Sequence, residues 1–100
     1  MRLRDGVVFR VPNTLGHFRL GFTIKARANA VLRNLLKRRV REAFRTNVDA
    51  LGPFDYNVVI PNRVKLGRVF SIHFASKVDE ALRLGKPLFL ASRPREERSR

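Results

Sequence analysis

The 100-residue sequence contains no cysteine. This excludes disulfides, thiolate metal sites and thiol nucleophiles, and it fits a reducing cytosol. Acidic residues are scarce, with 8 Asp and Glu against 22 Lys and Arg. No apolar run approaches the ~20 residues needed to span a bilayer. The first ten residues, MRLRDGVVFR, lack the long apolar segment of a secretory signal. The expectation is a cytoplasmic protein with no membrane partner. There is no internal repeat and no linker-like stretch. There is also no HExxH, CxxC, P-loop or Gly-rich phosphate motif. His17 falls at a turn and His73 near a helix start, neither with an orienting partner in sequence. Asp79 and Glu80 are adjacent, so on a helix they point to different faces. Nothing reads as a protein-borne active site.

What the chain does have is positive charge. The net charge is +14 and the pI about 11.9. That balance favours a polyanion, nucleic acid ahead of anionic membrane. The charge is concentrated. Residues 25–45 hold eight Lys and Arg against the single acid Glu42, a net +7 that is half the total in about a fifth of the chain.

Within that segment, residues 30–45 (AVLRNLLKRRVREAFR) read as one amphipathic helix. At 100° per residue, Val31, Leu32, Leu35, Leu36, Val40, Ala43 and Phe44 share a broad apolar arc. Arg33, Asn34, Lys37, Arg38, Arg41 and Arg45 occupy the other side. Asn34, Arg38, Arg41 and Arg45 are spaced i, i+4, i+7, i+11, so they stack along one ridge. Like charges at these spacings repel by a few tenths of a kcal/mol per pair, so stability alone does not explain the ridge. Arg makes bidentate phosphate contacts that Lys cannot. Asn34 both donates and accepts hydrogen bonds, which suits a shaped surface. Arg39 is the misfit, since it lands on the apolar arc. An anionic membrane would need that arc free to enter lipid, whereas here it is needed to cover a sheet.

The rest of the chain supplies that sheet. Residues 6–11 (GVVFRV) read as a β-branched strand, and residues 12–16 (PNTLG) as a turn. Residues 17–25 alternate Phe18, Leu20, Phe22 and Ile24 against Arg19, Gly21, Thr23 and Lys25, a half-buried strand. The two strands are expected to pair as an antiparallel hairpin. Asn29 is the expected N-cap of the central helix, which fades near Thr46-Asn47 before Gly52-Pro53 closes the connection. Residues 56–60 (YNVVI) predict a strand central in its sheet. Residues 61–67 form a basic loop. A helix over residues 71–84, stopped by Gly85 and Pro87, is preferred to a strand through Phe70, Ile72 and Phe74. Leu88-Phe89-Leu90 could dock an end. The reading is one α+β domain over residues 1–92, a small mixed sheet packed by helices in the order β-β-α-β-α. Residues 93–100 (RPREERSR) are expected to form a disordered basic tail.

The helix also carries a family resemblance. Residues 33–42, RNLLKRRVRE, resemble the signature helix of the bacterial ribonuclease P protein subunit, usually written RNRxKRxxRE. Gly21-Phe22-Thr23-Ile24 and Ala30-Val31 before it, and Phe44 and the strand at 55–60 after it, fall where that family has theirs. The resemblance covers roughly residues 6–85. It implies a protein that binds a large catalytic RNA, which itself performs Mg²⁺-dependent removal of the 5′ leader from precursor tRNA. The implied partners are that RNA and precursor tRNA, with no obligatory protein partner, and the Mg²⁺ is held mainly by the RNA. By carry-over, Arg33, Asn34, Lys37, Arg38 and Arg41 contact RNA or arrange metal near the cleavage site, with Arg45 continuing the ridge. The family's leader cleft lies on the sheet, where Phe9, Arg19 and Lys25 are the candidates. The resemblance also implies a left-handed βαβ crossover, against the near-universal right-handed rule. Three departures stand out. The residues before the first strand are expected to hold no counterpart of the family's first helix, whose aromatic side chains help wall the leader cleft. Leu35 replaces the third basic residue of the motif, and the usual lysine pair is reduced to Lys25-Ala26-Arg27. Two other functions fit the charge. One is a small basic protein of the ribosome or another RNA particle. The other is a DNA-binding domain with the helix in a major groove, weakened by cations along the whole helix and by the lack of a partner helix.

Overall fold

The computed structural model describes residues 2–3, 6–85 and 90–91. The two-residue strand β1 (Arg2–Leu3) precedes β2 (Gly6–Pro12) and β3 (Arg19–Ile24). The helix α1 spans Ala30–Thr46 and a single 3-10 turn spans Val48–Ala50. Then come β4 (Phe54–Ile60), α2 (Arg68–Leu84) and the short β5 (Leu90–Ala91). The main elements follow the expected order β-β-α-β-α. The expected tail at 93–100, with Leu88 and Phe89, lies outside the described residues.

The expected hairpin does not form. The sheet order is β1-β2-β4-β3, with β5 parallel to β2 on its far side. β4 lies between β2 and β3, antiparallel to the first and parallel to the second. Two physical reasons account for this. YNVVI is the most continuously apolar strand, so it gains most from neighbours on both edges. The connection at residues 13–18 also lacks a two-residue I′ or II′ turn. It is long enough to step over one intervening strand, a shift of roughly 10 Å. Asn13 fastens this connection to β4. Its backbone N–H donates to the Pro53 carbonyl at 2.8 Å, and its side-chain amide donates to Asp55 at 2.9 Å.

Alternation along the strands sorts the two sheet faces. Val8, Tyr56, Val58 and Ile60 are buried beneath both helices, with Leu20, Phe22 and Ile24 of β3 beside them. α1 contributes Leu36, Val40 and Phe44 to this core, and α2 contributes Phe74, Val78 and Leu82. Gly6 lets β2 approach α2, because a Cβ there would sit 2.7 Å from the Phe74 ring. The opposite face carries Val7, Phe9 and Val11, Asp55, Asn57 and Val59, and Arg19, Gly21 and Thr23. No described helix covers it.

α1 begins as expected. The Asn29 side-chain oxygen accepts from the Leu32 N–H at 2.9 Å. At its other end, the Asn47 amide donates to the Ala43 carbonyl at 2.8 Å and to Asp79 of α2 at 2.7 Å, which ties the two helices together. Val31 is a correction. Helical spacing puts it on the apolar arc, yet it is 71% exposed, because the first turn extends past the edge of the core. α2 starts three residues earlier than expected, behind Gly67, where the Ser71 hydroxyl donates to the Gly67 carbonyl at 2.9 Å. Gly85 ends it in the left-handed conformation at φ 71°, where glycine carries no Cβ penalty.

Candidate nucleic-acid interface

The sheet holds α1 through Leu35, Leu36, Val40, Ala43 and Phe44, all buried. With those five fixed, helical geometry dictates where the cations point. Arg33, Asn34, Arg38, Arg41 and Arg45 are exposed, and Lys37 is half-buried. From Asn34 to Arg45 the ridge runs about 16 Å at 1.5 Å per residue. Arg39 is exposed too, as its snorkelling stem allows. Among the described residues, no carboxylate pairs with Arg33, Lys37, Arg38 or Arg41. Arg45 is the exception, since it pairs with Glu42 three residues earlier. Arg41 is held another way, its guanidinium 5.6 Å from the centre of the Phe22 ring on β3. The ridge is thus mostly un-neutralised charge on a rigid support.

A groove of about 500 Å³ runs between α1 and the edge strand β3. Phe18 and Leu20 form its floor, and Arg19, Arg38, Arg41, Glu42 and Arg45 line the remainder. Phe18 is itself braced, 5.8 Å from the Phe44 ring and 6.4 Å from the Tyr56 ring.

The three leader candidates do not form one cluster. Phe9 and Arg19 lie on the open sheet face, separated across β4. Arg19 is clamped by Asp55, its Nε at 2.9 Å and a terminal nitrogen at 2.7 Å from the two carboxylate oxygens. The hydrogen bonds from Arg19 and then Asn13 hold the Asp55 carboxyl well below the usual range, at about 2. The same hydrogen bond raises the Arg19 pKa. Arg19 therefore presents a neutralised, oriented guanidinium. Lys25 lies elsewhere. It lines a hollow of about 750 Å³ with Arg27, Asn62, Arg63 and Lys65. Buried Ala26 pins one side of this hollow, and buried Val64 and Leu66 pin the other, leaving the intervening cations outside.

Sequence reasoning missed the Arg19–Asp55 clamp and the hollow, because both depend on residues far apart in the chain. The clamp follows from the parallel register that sets Arg19 beside Asp55. His17 and His73 are exposed. His17 Nδ1 lies 3.1 Å from the Phe18 carbonyl. No helix among the described residues is long and apolar enough to cross a membrane.

A model of the ribonuclease P family matches residues 2–85. The chain belongs to that family. Among curated relatives, the ribonuclease P protein component of Petrotoga mobilis is 34% identical over 84 residues, covering 82% of this chain and 70% of the relative. That of Azotobacter vinelandii is 45% identical over 60 residues, covering 58% of this chain and 45% of the relative. Solved structures agree. The Staphylococcus aureus RNase P protein superposes with a TM-score of 0.64 at 26% identity, covering 90% of this chain and 82% of that one. The Thermotoga maritima RNase P protein gives 0.60 at 30% identity, covering 84% and 76%. The α+β fold and its element order are those of the ribonuclease P proteins. Membership brings with it the role of a ribonuclease P protein subunit, with RNA binding and tRNA processing.

Proposed function

We propose that this ribonuclease P protein grips the enzyme's catalytic RNA along the ridge of Arg33, Asn34, Lys37, Arg38, Arg41 and Arg45, while the RNA breaks the bond. The observation that carries the reading is that these side chains, exposed except for half-buried Lys37, lie together on one buttressed helix, largely without carboxylate partners. Guanidinium forks on a fixed helix are pre-organised for phosphate, so little side-chain freedom is lost on contact.

Precursor tRNA is the proposed substrate. Its 5′ leader runs over the open sheet face past Phe9 and Arg19, with Lys25 drawing phosphate to the neighbouring hollow. The assembly works in the cytoplasm without an obligatory protein partner. Mg²⁺ belongs to the RNA in this reading. Among the described residues no three His, Asp or Glu side chains gather to hold an ion, and a row of arginines repels a dication. The ion's hard-oxygen donors are then phosphates and water.

Reconstitution tests the reading. The purified chain, mixed with a bacterial ribonuclease P RNA at low Mg²⁺, should rescue cleavage of precursor tRNA at its 5′ end. Cleavage by rigorously RNA-free protein, or no rescue by a folded chain, would overturn it. A chain that copurifies with a ribosomal RNA fragment instead would favour a role in another RNA particle.

A further inference from the structure

The groove between α1 and β3 is unlike the ridge beside it, because its floor is apolar and its rim charged. We propose that it is a base-reading pocket, which accepts one unstacked nucleotide of the bound RNA and favours bases carrying an exocyclic amino group. The proposal rests on the RNA-binding reading above and adds a subsite to it.

Four observations support it. The volume, about 500 Å³, lies within the range of small-molecule sites. The floor is a braced aromatic ring, Phe18, beside Leu20. One wall is the Arg41 guanidinium, already held over Phe22. Unpaired RNA bases stack on such aromatic and guanidinium planes, while phosphates take the surrounding cations. Here those cations are Arg38 and Arg45.

The fourth observation is Glu42, the only acid of α1, which lines this cationic groove. A carboxylate there repels phosphate, so diffuse attraction does not explain it. Carboxylate oxygens accept hydrogen bonds from exocyclic amines such as cytosine N4. Arg45, paired with Glu42, orients the carboxylate. Adenine, cytosine and guanine carry such an amine and uracil does not, so uracil is the disfavoured base.

The test uses the full chain and hexanucleotide probes of equal charge: oligo-C, oligo-U and an abasic hexamer, read by fluorescence anisotropy. Oligo-C should bind roughly tenfold more tightly than the abasic hexamer, a factor typical of one stacked base, with oligo-U between them. Glu42→Gln should shrink the preference for C over U to about twofold or less. Arg41→Lys, which keeps the charge but removes the plane, should lower oligo-C affinity several-fold and by a clearly larger factor than it lowers binding of the abasic probe, which loses only a bidentate phosphate contact. Methyl NMR of the unaltered chain localises the effect without any substitution. The Leu20 methyls should shift with oligo-C and not with the abasic probe.

Equal binding of oligo-C and the abasic hexamer would overturn the pocket. So would shifts confined to Val7, Val11 and Val59 on the open face. In both cases salt-dependent binding of the catalytic RNA would leave the ridge reading intact. If neither the probes nor the catalytic RNA bind, the ridge and the pocket fall together.

Discussion

Replacing Arg38 and Arg41 together with alanine separates a positioned ridge from diffuse charge. Both side chains are exposed, and neither pairs with a carboxylate among the described residues. Alanine is the strongest helix former, and exposed substitutions of this kind change stability by about 0.5 kcal/mol or less. Folding should therefore be nearly unaffected. Binding should not be. A hydrogen bond to a charged group contributes roughly 1.5–3 kcal/mol, so two lost phosphate contacts predict a fall in affinity of about 100-fold or more. Each contact also contributes about 0.7–0.9 to the log–log salt slope. The double variant should therefore bind with a slope shallower by about 1.5. Between 50 and 200 mM salt, a fourfold change, its deficit should narrow by about eightfold. Filter binding or anisotropy with the catalytic RNA at several salt concentrations measures both quantities. The control is Arg95→Ala with Arg98→Ala, which removes the same formal charge from the C-terminal tail. If the two pairs lose affinity and slope equally, the ridge has no special standing and the positioned-ridge argument fails.

Three further outcomes follow from particular contacts. Asp55 titrates at about 2 when folded, against 3.8 as its ordinary value. Its contribution to stability is thus complete above about pH 4 and is lost as the pH falls through about 2. Denaturant midpoints between pH 5 and 2 should fall more steeply for the native chain than for Asp55→Asn, and parallel curves would show that the clamp does not act. Gly6→Val drives a branched side chain into the Phe74 ring, 2.7 Å from where its Cβ would lie, and should destabilise by about 1–3 kcal/mol. An unchanged urea midpoint would contradict that close approach. Asn29→Ala removes the cap on the Leu32 N–H and should cost ~1 kcal/mol, whereas Asn29→Asp should restore most of it in thermal melts.

Much of the fold was legible because its signals are local. The 3.6-residue period, Asn29 as cap and Gly85 as stop define the two helices within a residue or a few. YNVVI announces a strand with two neighbours, and β4 has them. Strand order was not legible. Residues 6–11 and 17–25 are adjacent in sequence, yet the choice between pairing them and inserting β4 depends on burial summed over the whole sheet. The same limit governs the site. Helical spacing exposes the ridge because one buried arc determines the opposite one. The Arg19–Asp55 clamp needs the β3–β4 register, and the hollow needs two loops brought together by the Lys25–Ile60 hydrogen bond at 2.8 Å. Val31 shows that a helical wheel gives direction but not the extent of the core.

The sheet geometry also constrains how one RNA would reach both proposed binding surfaces. α1 covers the face that carries Leu20, Phe22 and Ile24, whereas Phe9 and Arg19 point from the opposite face. A strand contacting the ridge and then the open face cannot pass through the sheet. At the other end of the sheet, β1 and β5 flank β2, so the short route between the surfaces runs around the edge of β3. Gly21, at mid-strand, leaves that route low: among the described residues only the Asn57 amide oxygen and the Tyr56 carbonyl come within 4 Å of where its Cβ would be. Arg19 and Arg41 flank the crossing from opposite faces. Gly21→Leu should therefore weaken any ligand that spans both surfaces while sparing one held by the ridge alone. Measured affinities for precursor tRNA in the assembled enzyme and for the catalytic RNA by itself would separate the two. A loss confined to the catalytic RNA would place the crossing elsewhere.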